Sequence, residues 1–242
     1  MGIASLTAFA LCAFVYIGMI RREVPGPIGK KQAVVPVAVG FFLPIPSTVL
    51  AVLFGWTFFT LTGKTVGEAV PNLLCQSLVK SFLFAGFTEE LVKLLPALLL
   101  VRIFKPKNVY EHILIFAGVG FGFTALEEIL YGGGIAAFTR LPAFATHMVL
   151  GIITGTYLGL ARRRKRGKGK LVFTGLFLPV LWHTLFDAAT GFNAGLSATN
   201  ENVQLAAIAA GLVATAVSTV LLFVLLFRLK NKAAAYSGMT FE

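Results

Sequence analysis

The chain is short of the residues that a water-soluble surface needs. Only 13% of its residues are charged, while 57% are hydrophobic. A soluble domain of this size would then carry a mostly apolar surface, so that class is excluded. Cysteine is scarce. Cys12 and Cys75 both fall within or beside apolar runs, which excludes a disulfide framework and a cysteine zinc site. No His-Glu-x-x-His pair occurs. "GVGFGF", from Gly118 to Phe123, has no strand before it and lacks the full glycine pattern of a dinucleotide fingerprint. Acids are fewer than bases, 10 against 21, for a formal net charge of +11. The densest basic stretch, "RRRKRGKGK" at Arg162–Lys170, sits between two hydrophobic runs, so it reads as a cytoplasmic loop and not as a nucleic-acid patch. The first apolar run, Ile3–Ile20, has no basic residue before it and Arg21-Arg22 directly after it. A secretory signal has the opposite polarity, so an uncleaved anchor is expected.

What the chain does have is apolar runs of about 20 residues, the length at which a helix crosses roughly 30 Å of hydrocarbon. The expected fold is all-α, a polytopic transmembrane helix bundle of seven spans, near 3–20, 33–62, 82–104, 112–131, 141–161, 171–190 and 205–227. The second is long and carries Pro36, Pro44 and Pro46, so a kink or break is expected there. Residues 66–81 read as an amphipathic segment at the surface. With seven crossings, 17 of the 21 basic residues fall on one side, which puts the N-terminus outside and the C-terminus in the cytoplasm. The whole chain, 1–242, reads as one integral-membrane domain, with 80–190 as core helices and 162–170 as the basic cytoplasmic loop. Gly151, Gly155 and Gly159 on span five, and Gly118 and Gly122 on span four, recur every four residues, the spacing that lets membrane helices approach closely.

Glu23, Glu68, Glu111, His112, Glu201 and Glu242 fall in loops or at span ends, where solvent accounts for them. Inside the hydrocarbon remain Glu89, Glu90, Lys93, Glu127, Glu128, His147, His183 and Asp187. Each ionisable group at the centre of a membrane helix costs roughly 2.5–3.5 kcal/mol on insertion scales. Depth can be counted from the basic end of each span at 1.5 Å per residue. Glu89 lies about 20 Å from Arg102, Glu127 about 22 Å from His112, and His147 about 22 Å from Arg162. His183 and Asp187 lie about 18 and 24 Å from Leu171. Four helices running in alternating directions thus put these groups in one slab, in the outer third of the bilayer. His183 and Asp187 share a helix face, and Lys93 can reach either glutamate. The two glutamates point about 100° apart, so one of them faces the centre more directly; spacing does not say which. Glu128 reads as facing the outer mouth.

These motifs are specific. "EELVK" (Glu89–Lys93), "FTALE" (Phe123–Glu127), His147 and "HTLFD" (His183–Asp187) follow one another on successive spans. In that order the stretch near 80–190 resembles the PrsW family of intramembrane proteases, relatives of the type II CAAX prenyl endopeptidases. Glu128 departs from the family pattern, in which Asn is expected. The resemblance implies cleavage of a membrane-anchored protein such as an anti-sigma factor, near the extracytoplasmic face of a prokaryotic cell membrane, with the lipid bilayer as partner and no nucleic acid. It implies Glu89, Glu90, Glu127, His147, His183 and Asp187 as catalytic residues, with Lys93 and Phe123 supporting. In this expectation Glu89, or Glu90 as alternate, activates water; His183 and Asp187 serve the oxyanion or the leaving amine; Glu127 and His147 position the water or bind a metal. No cofactor is assigned from the sequence. Zinc stays open with Glu127, His147, His183 and Asp187 as candidates, while the missing His-Glu-x-x-His pair favours metal-independent glutamate catalysis. A proton- or ion-coupled transporter would also use intramembrane acids, but no internal repeat supports one. Prenyl-protein endopeptidase activity is disfavoured by the EExxK and FxxxE forms, and a non-enzymatic scaffold leaves the charged slab without a purpose.

Overall fold

The computed structural model describes residues 3–22, 28–70, 72–131, 141–164, 166–190 and 201–241. Its elements are α1 (Ile3–Arg21), α2 (Lys30–Phe42), α3 (Pro44–Thr62), α4 (Val66–Ala69), α5 (Leu73–Ser81), a π-helical turn (Phe82–Gly86), α6 (Phe87–Phe104), α7 (Val109–Tyr131), α8 (Leu141–Arg163), α9 (Lys168–Thr190) and α10 (Glu201–Ala234). The expected second span is broken at Leu43. Pro44 opens α3 with no N–H to offer the preceding turn, and Leu43 N–H instead closes a tighter turn onto Gly40 O. The expected amphipathic segment is two short helices, each opened by a side-chain cap: Thr65 accepts from Glu68 N, and Asn72 from Cys75 N.

Five segments among the described residues are long and apolar enough to cross a membrane: Lys30–Thr62, Val109–Leu130, Pro142–Arg163, Lys168–Ala189 and Ala209–Ala234. α1 contributes a shorter apolar run, Leu6–Arg21. α6 has the length, but Glu89, Glu90, Lys93 and Arg102 interrupt its apolar character. α7 is the central helix, with 72% of its membrane-length window buried, and α8 follows at 61%. The α2–α3 pair and α10 bury 22% each and form the lipid-facing shell.

Hydrophobic transfer does not hold helices together in lipid, so close backbone approach has to. The α7–α8 seam shows it. A Cβ on Gly151 would stand 2.4 Å from the Phe116 carbonyl oxygen, and one on Gly120 would stand 2.2 Å from that of His147. Gly118 and Gly122 serve other neighbours, facing Tyr16 of α1 and Val37 of α2. Side chains fill the rest of the core: Phe144, Met148 and Ile152 of α8 and Ile113 and Leu114 of α7 are fully buried or nearly so.

Glu111 and His112 overturn the expectation that solvent accounts for them. Both are buried, and protein groups satisfy them. Glu111 Oε2 accepts from Gln32 Nε2 at 3.0 Å and from Lys107 N at 2.9 Å. His112 Nδ1–H donates to Gly155 O at 3.0 Å. The C-terminal residues cover this end of the bundle, with Val109 N–H donating to Met239 O and Phe241 N–H to Lys107 O.

Candidate active site

Four helices bring ionisable groups to one place. The π turn makes the first contribution. Gly86, its last residue, lies so close to α9 that an added Cβ would stand 2.3 Å from Thr184 Oγ1 and 3.0 Å from Thr184 N. Bulky residues could not approach so closely. The contact docks the start of α6 on α9, which sets Glu89 and Glu90 opposite His183 one turn later. π turns of this kind recur at functional sites.

The two glutamates then take different surroundings. Glu90 is a bridge: Lys93 Nζ lies 2.6 Å and His183 Nδ1 2.9 Å from its Oε1. Glu89 points into the middle. Its Oε2 lies 3.7 Å from His183 Nε2, 3.9 Å from Lys93 Nζ and 4.0 Å from His147 Nε2. It is buried with no hydrogen-bond partner among the described residues. A buried acceptor left unsatisfied costs about 1–3 kcal/mol, and more when charged, so the position is a costly one to maintain without a task.

Lys93 also fixes His147. An ammonium can only donate, and its Nζ lies 2.8 Å from His147 Nδ1, so that nitrogen accepts. Nε2 then carries the proton and donates to Glu127 Oε2 at 2.7 Å. The result is a chain, Lys93–His147–Glu127, with each donor matched to an acceptor. Phe123 packs over it, its ring 4.9 Å from that of His147 and 4.5 Å from Lys93 Nζ. His183 stands edge-on to His147 at 5.1 Å between ring centroids. Its Nδ1–H donates to Glu90, and Nε2 lies 3.4 Å from Asp187 Oδ2. All six of the expected site residues, with Lys93 and Phe123, are thus gathered within one cluster. Glu128 is not part of its mouth: it is fully buried, contrary to the sequence reading.

The donor set fits a divalent metal. Glu89, His147 and His183 each place a ligand atom within 4.8 Å of the others, and a metal there would displace the Nε2 proton that His147 otherwise gives to Glu127. The orphaned Glu89 oxygen lacks a partner that a cation would supply. Four carboxylates (Glu89, Glu90, Glu127 and Asp187) surround one ammonium, and so large an excess of negative charge in a low-dielectric interior calls for protons or a cation. His183 gives its Nδ1–H to the Glu90 carboxylate, the kind of partner that orients metal-binding histidines. Glu89 was absent from the sequence-based list of metal candidates, because residue type and spacing could not show which glutamate lies between the two imidazoles.

Comparison with known proteins bears on the family. The model of the PrsW family, described as an intramembrane metalloprotease family, matches residues 44–227. Protease PrsW of Halalkalibacterium halodurans is 33% identical over 126 residues, covering 48% of this chain and 57% of the relative. Protease PrsW of Bacillus subtilis is 36% identical over 115 residues, 44% of this chain and 52% of the relative. That of Shouchella clausii is 29% identical over 188 residues, 74% of this chain and 78% of the relative. The chain thus spans a little over half the length of the first two. No solved structure matches the chain significantly.

Proposed function

The chain belongs to the PrsW family of multi-pass membrane proteins, and from that membership we propose that it is an intramembrane protease that hydrolyses a peptide bond in membrane-anchored proteins. One observation carries the reading: the Glu89 oxygen that lies buried and without a hydrogen-bond partner among the described residues, between two imidazoles. Neutral water is a poor nucleophile, and a carboxylate in that position is suited to take its proton as water attacks the carbonyl carbon. Glu90, tied to Lys93 and His183, is the less available of the pair and serves to hold the site together. A proton on His183 Nε2, shared with Asp187, is placed to reach the oxyanion and then the leaving amine. Glu127 and His147 orient the water through the Lys93 chain. Glu89, His147 and His183 would hold a metal only with Nε2 of both imidazoles free of its proton; a metal bound there would supply Lewis-acid polarisation of the scissile carbonyl in place of the His183 proton.

The finer membrane topology belongs to the same proposal. Counting α1 and α6 with the five apolar segments gives seven crossings, with the N-terminus outside and the C-terminus cytoplasmic. The cluster then lies in the outer third of the bilayer, within reach of the extracytoplasmic juxtamembrane segment of a substrate such as an anti-sigma factor.

The test is purified protein in liposomes with a single-span substrate. Wild type produces two fragments and Glu89→Gln none. Intact substrate with wild type, together with measurable ion flux, would replace the protease reading with a carrier. A chelator in the same assay addresses the metal: cleavage is expected to fall and to return with zinc.

A further inference from the structure

One feature of the bundle has no role in water activation. A cavity of about 470 Å³ lies against the polar cluster, within the roughly 300–1,000 Å³ typical of ligand pockets. Its walls are apolar, formed by Leu94, Phe116, Val119, Leu176 and Val180. Its polar end is the cluster itself, through Glu90, Lys93 and His147.

The cavity has a direction. On α6 its lining runs from Phe87 to Leu94, with Phe82 of the π turn beside it and most of it towards Arg102, and on α8 from His147 to Thr154, towards Arg162. On α7 the lining lies between Val109 and Glu127, and on α9 largely between Lys168 and His183. Apart from Phe82 and Phe87, therefore, it extends from the cluster towards the basic helix ends and into the depth of the membrane. It also has a side entrance. α9 packs far more closely on the π turn than on α6, so the two helices part below Gly86. Exposed Phe173, Leu176 and Phe177, the two rings stacked 5.2 Å apart, stand at the rim on α9.

We propose that this cavity is the subsite for a large apolar side chain next to the scissile bond, on the part of the substrate that stays in the membrane. The substrate enters from lipid between α6 and α9. The proposal rests on the protease reading and adds the class of residue that the site selects. Away from the cluster the only polar side chains of the walls are the hydroxyls of Thr154 and Thr184, the latter already donating to Val180 O. That is too little to compensate a buried charge, so a charged side chain there is penalised and an apolar one is not. Lipid is the other apolar candidate. The cavity's only cation, among the described lining residues, is Lys93, and its 2.6 Å pairing with Glu90 leaves it no free charge for a phosphate headgroup. A peptide fits better, because its backbone would reach Glu89 while its side chain fills the apolar space.

The experiment uses the full chain in liposomes and single-span substrates that differ only at the residue on the membrane-interior side of the cut. Leu and Phe should exceed Ala by at least about tenfold in kcat/KM, and Asp should not be cut. Thr154, a buried wall residue, is then enlarged. Thr154→Phe should lower the Phe-to-Ala rate ratio by about tenfold, a change of preference that general damage does not produce. Leu176→Trp, at the more open mouth, should shift the ratio the same way if Thr154→Phe does not fold. Equal rates for Leu, Ala and Asp would overturn the proposal, as would a ratio that neither variant moves. So would loss of a co-purifying lipid in the variants with the ratio intact. If wild type cuts none of the substrates, the protease reading itself fails, and the subsite with it.

Discussion

Glu89 and Glu90 are adjacent and chemically identical, yet their surroundings separate them. Glu90 is held in an ion pair with Lys93 and a hydrogen bond from His183, both within 3 Å. Glu89 has neither. Removing one member of a buried pair leaves the other charge uncompensated and costs about 3–5 kcal/mol. Glu90→Ala should therefore destabilise the protein by about 3 kcal/mol or more in detergent unfolding, besides lowering activity. Glu89→Gln keeps the shape and removes a charge whose partners stand farther off, at 3.7–4.0 Å, so it should abolish cleavage with a much smaller loss of stability than Glu90→Ala. Equal destabilisation by the two variants would remove the distinction. The sequence predicted that the two carboxylates diverge by about 100°, but not which one meets the imidazoles, because helix spacing fixes an angle and not a partner. The same limit hid the burial of Glu111 and Glu128. An acid at a span end and one beside a motif both read as exposed until their neighbours are known.

Glycine decides the placement of whole elements. Close packing of α8 on a neighbour was legible because Gly151, Gly155 and Gly159 recur at the spacing of close helix contacts; that the neighbour is α7 was not. The π turn at Phe82–Gly86 was not: nothing in "FLFAG" distinguishes a π turn from a turn of α-helix, and the extra residue is set by how α6 must dock on α9. Gly86 is the test of that docking. In Gly86→Ala the new methyl meets Thr184 Oγ1 at 2.3 Å, with the Thr184 nitrogen and the Val180 carbonyl oxygen both at 3.0 Å. The side chain could rotate away, but the backbone atoms could not, so α6 must shift from α9 and carry the glutamates from His183. A displacement of about 1 Å at a reacting centre costs on the order of a hundredfold in rate, and cleavage should fall accordingly. Gly169→Ala, at the open start of α9, is the control, with nothing within 4 Å of its Cβ and no change in cleavage expected. If both alanines left cleavage unchanged, the π turn would not be what positions the glutamates.

At the scale of the molecule, charge asymmetry and hydropathy depend on each other. Five segments are apolar enough to cross by composition alone, while α6 carries four charges and still has to lie beside α9 for the cluster to exist. Three of its four charges, Glu89, Glu90 and Lys93, meet one another or the two histidines. That internal pairing lowers the cost of immersion, which explains why hydropathy undervalues this helix. Counting α6 as a crossing puts 17 of the 21 basic residues on one face of the membrane, and leaving it out divides them between the two; counting α1 decides only on which side the N-terminus lies. The orientation can be tested at two exposed loop residues, Lys64 between α3 and α4 and Arg166 between α8 and α9. Lys64→Cys and Arg166→Cys would each be placed in a background carrying Cys12→Ala and Cys75→Ala, then treated in intact cells with a membrane-impermeant maleimide. Lys64→Cys should label at once, and Arg166→Cys only after permeabilisation. The reverse pattern would invert the bundle, moving the cluster to the cytoplasmic third and the substrate's cut to the opposite face. Labelling of both positions in intact cells would instead break the seven-span count, since an odd number of crossings, α6, α7 and α8, separates the two loops.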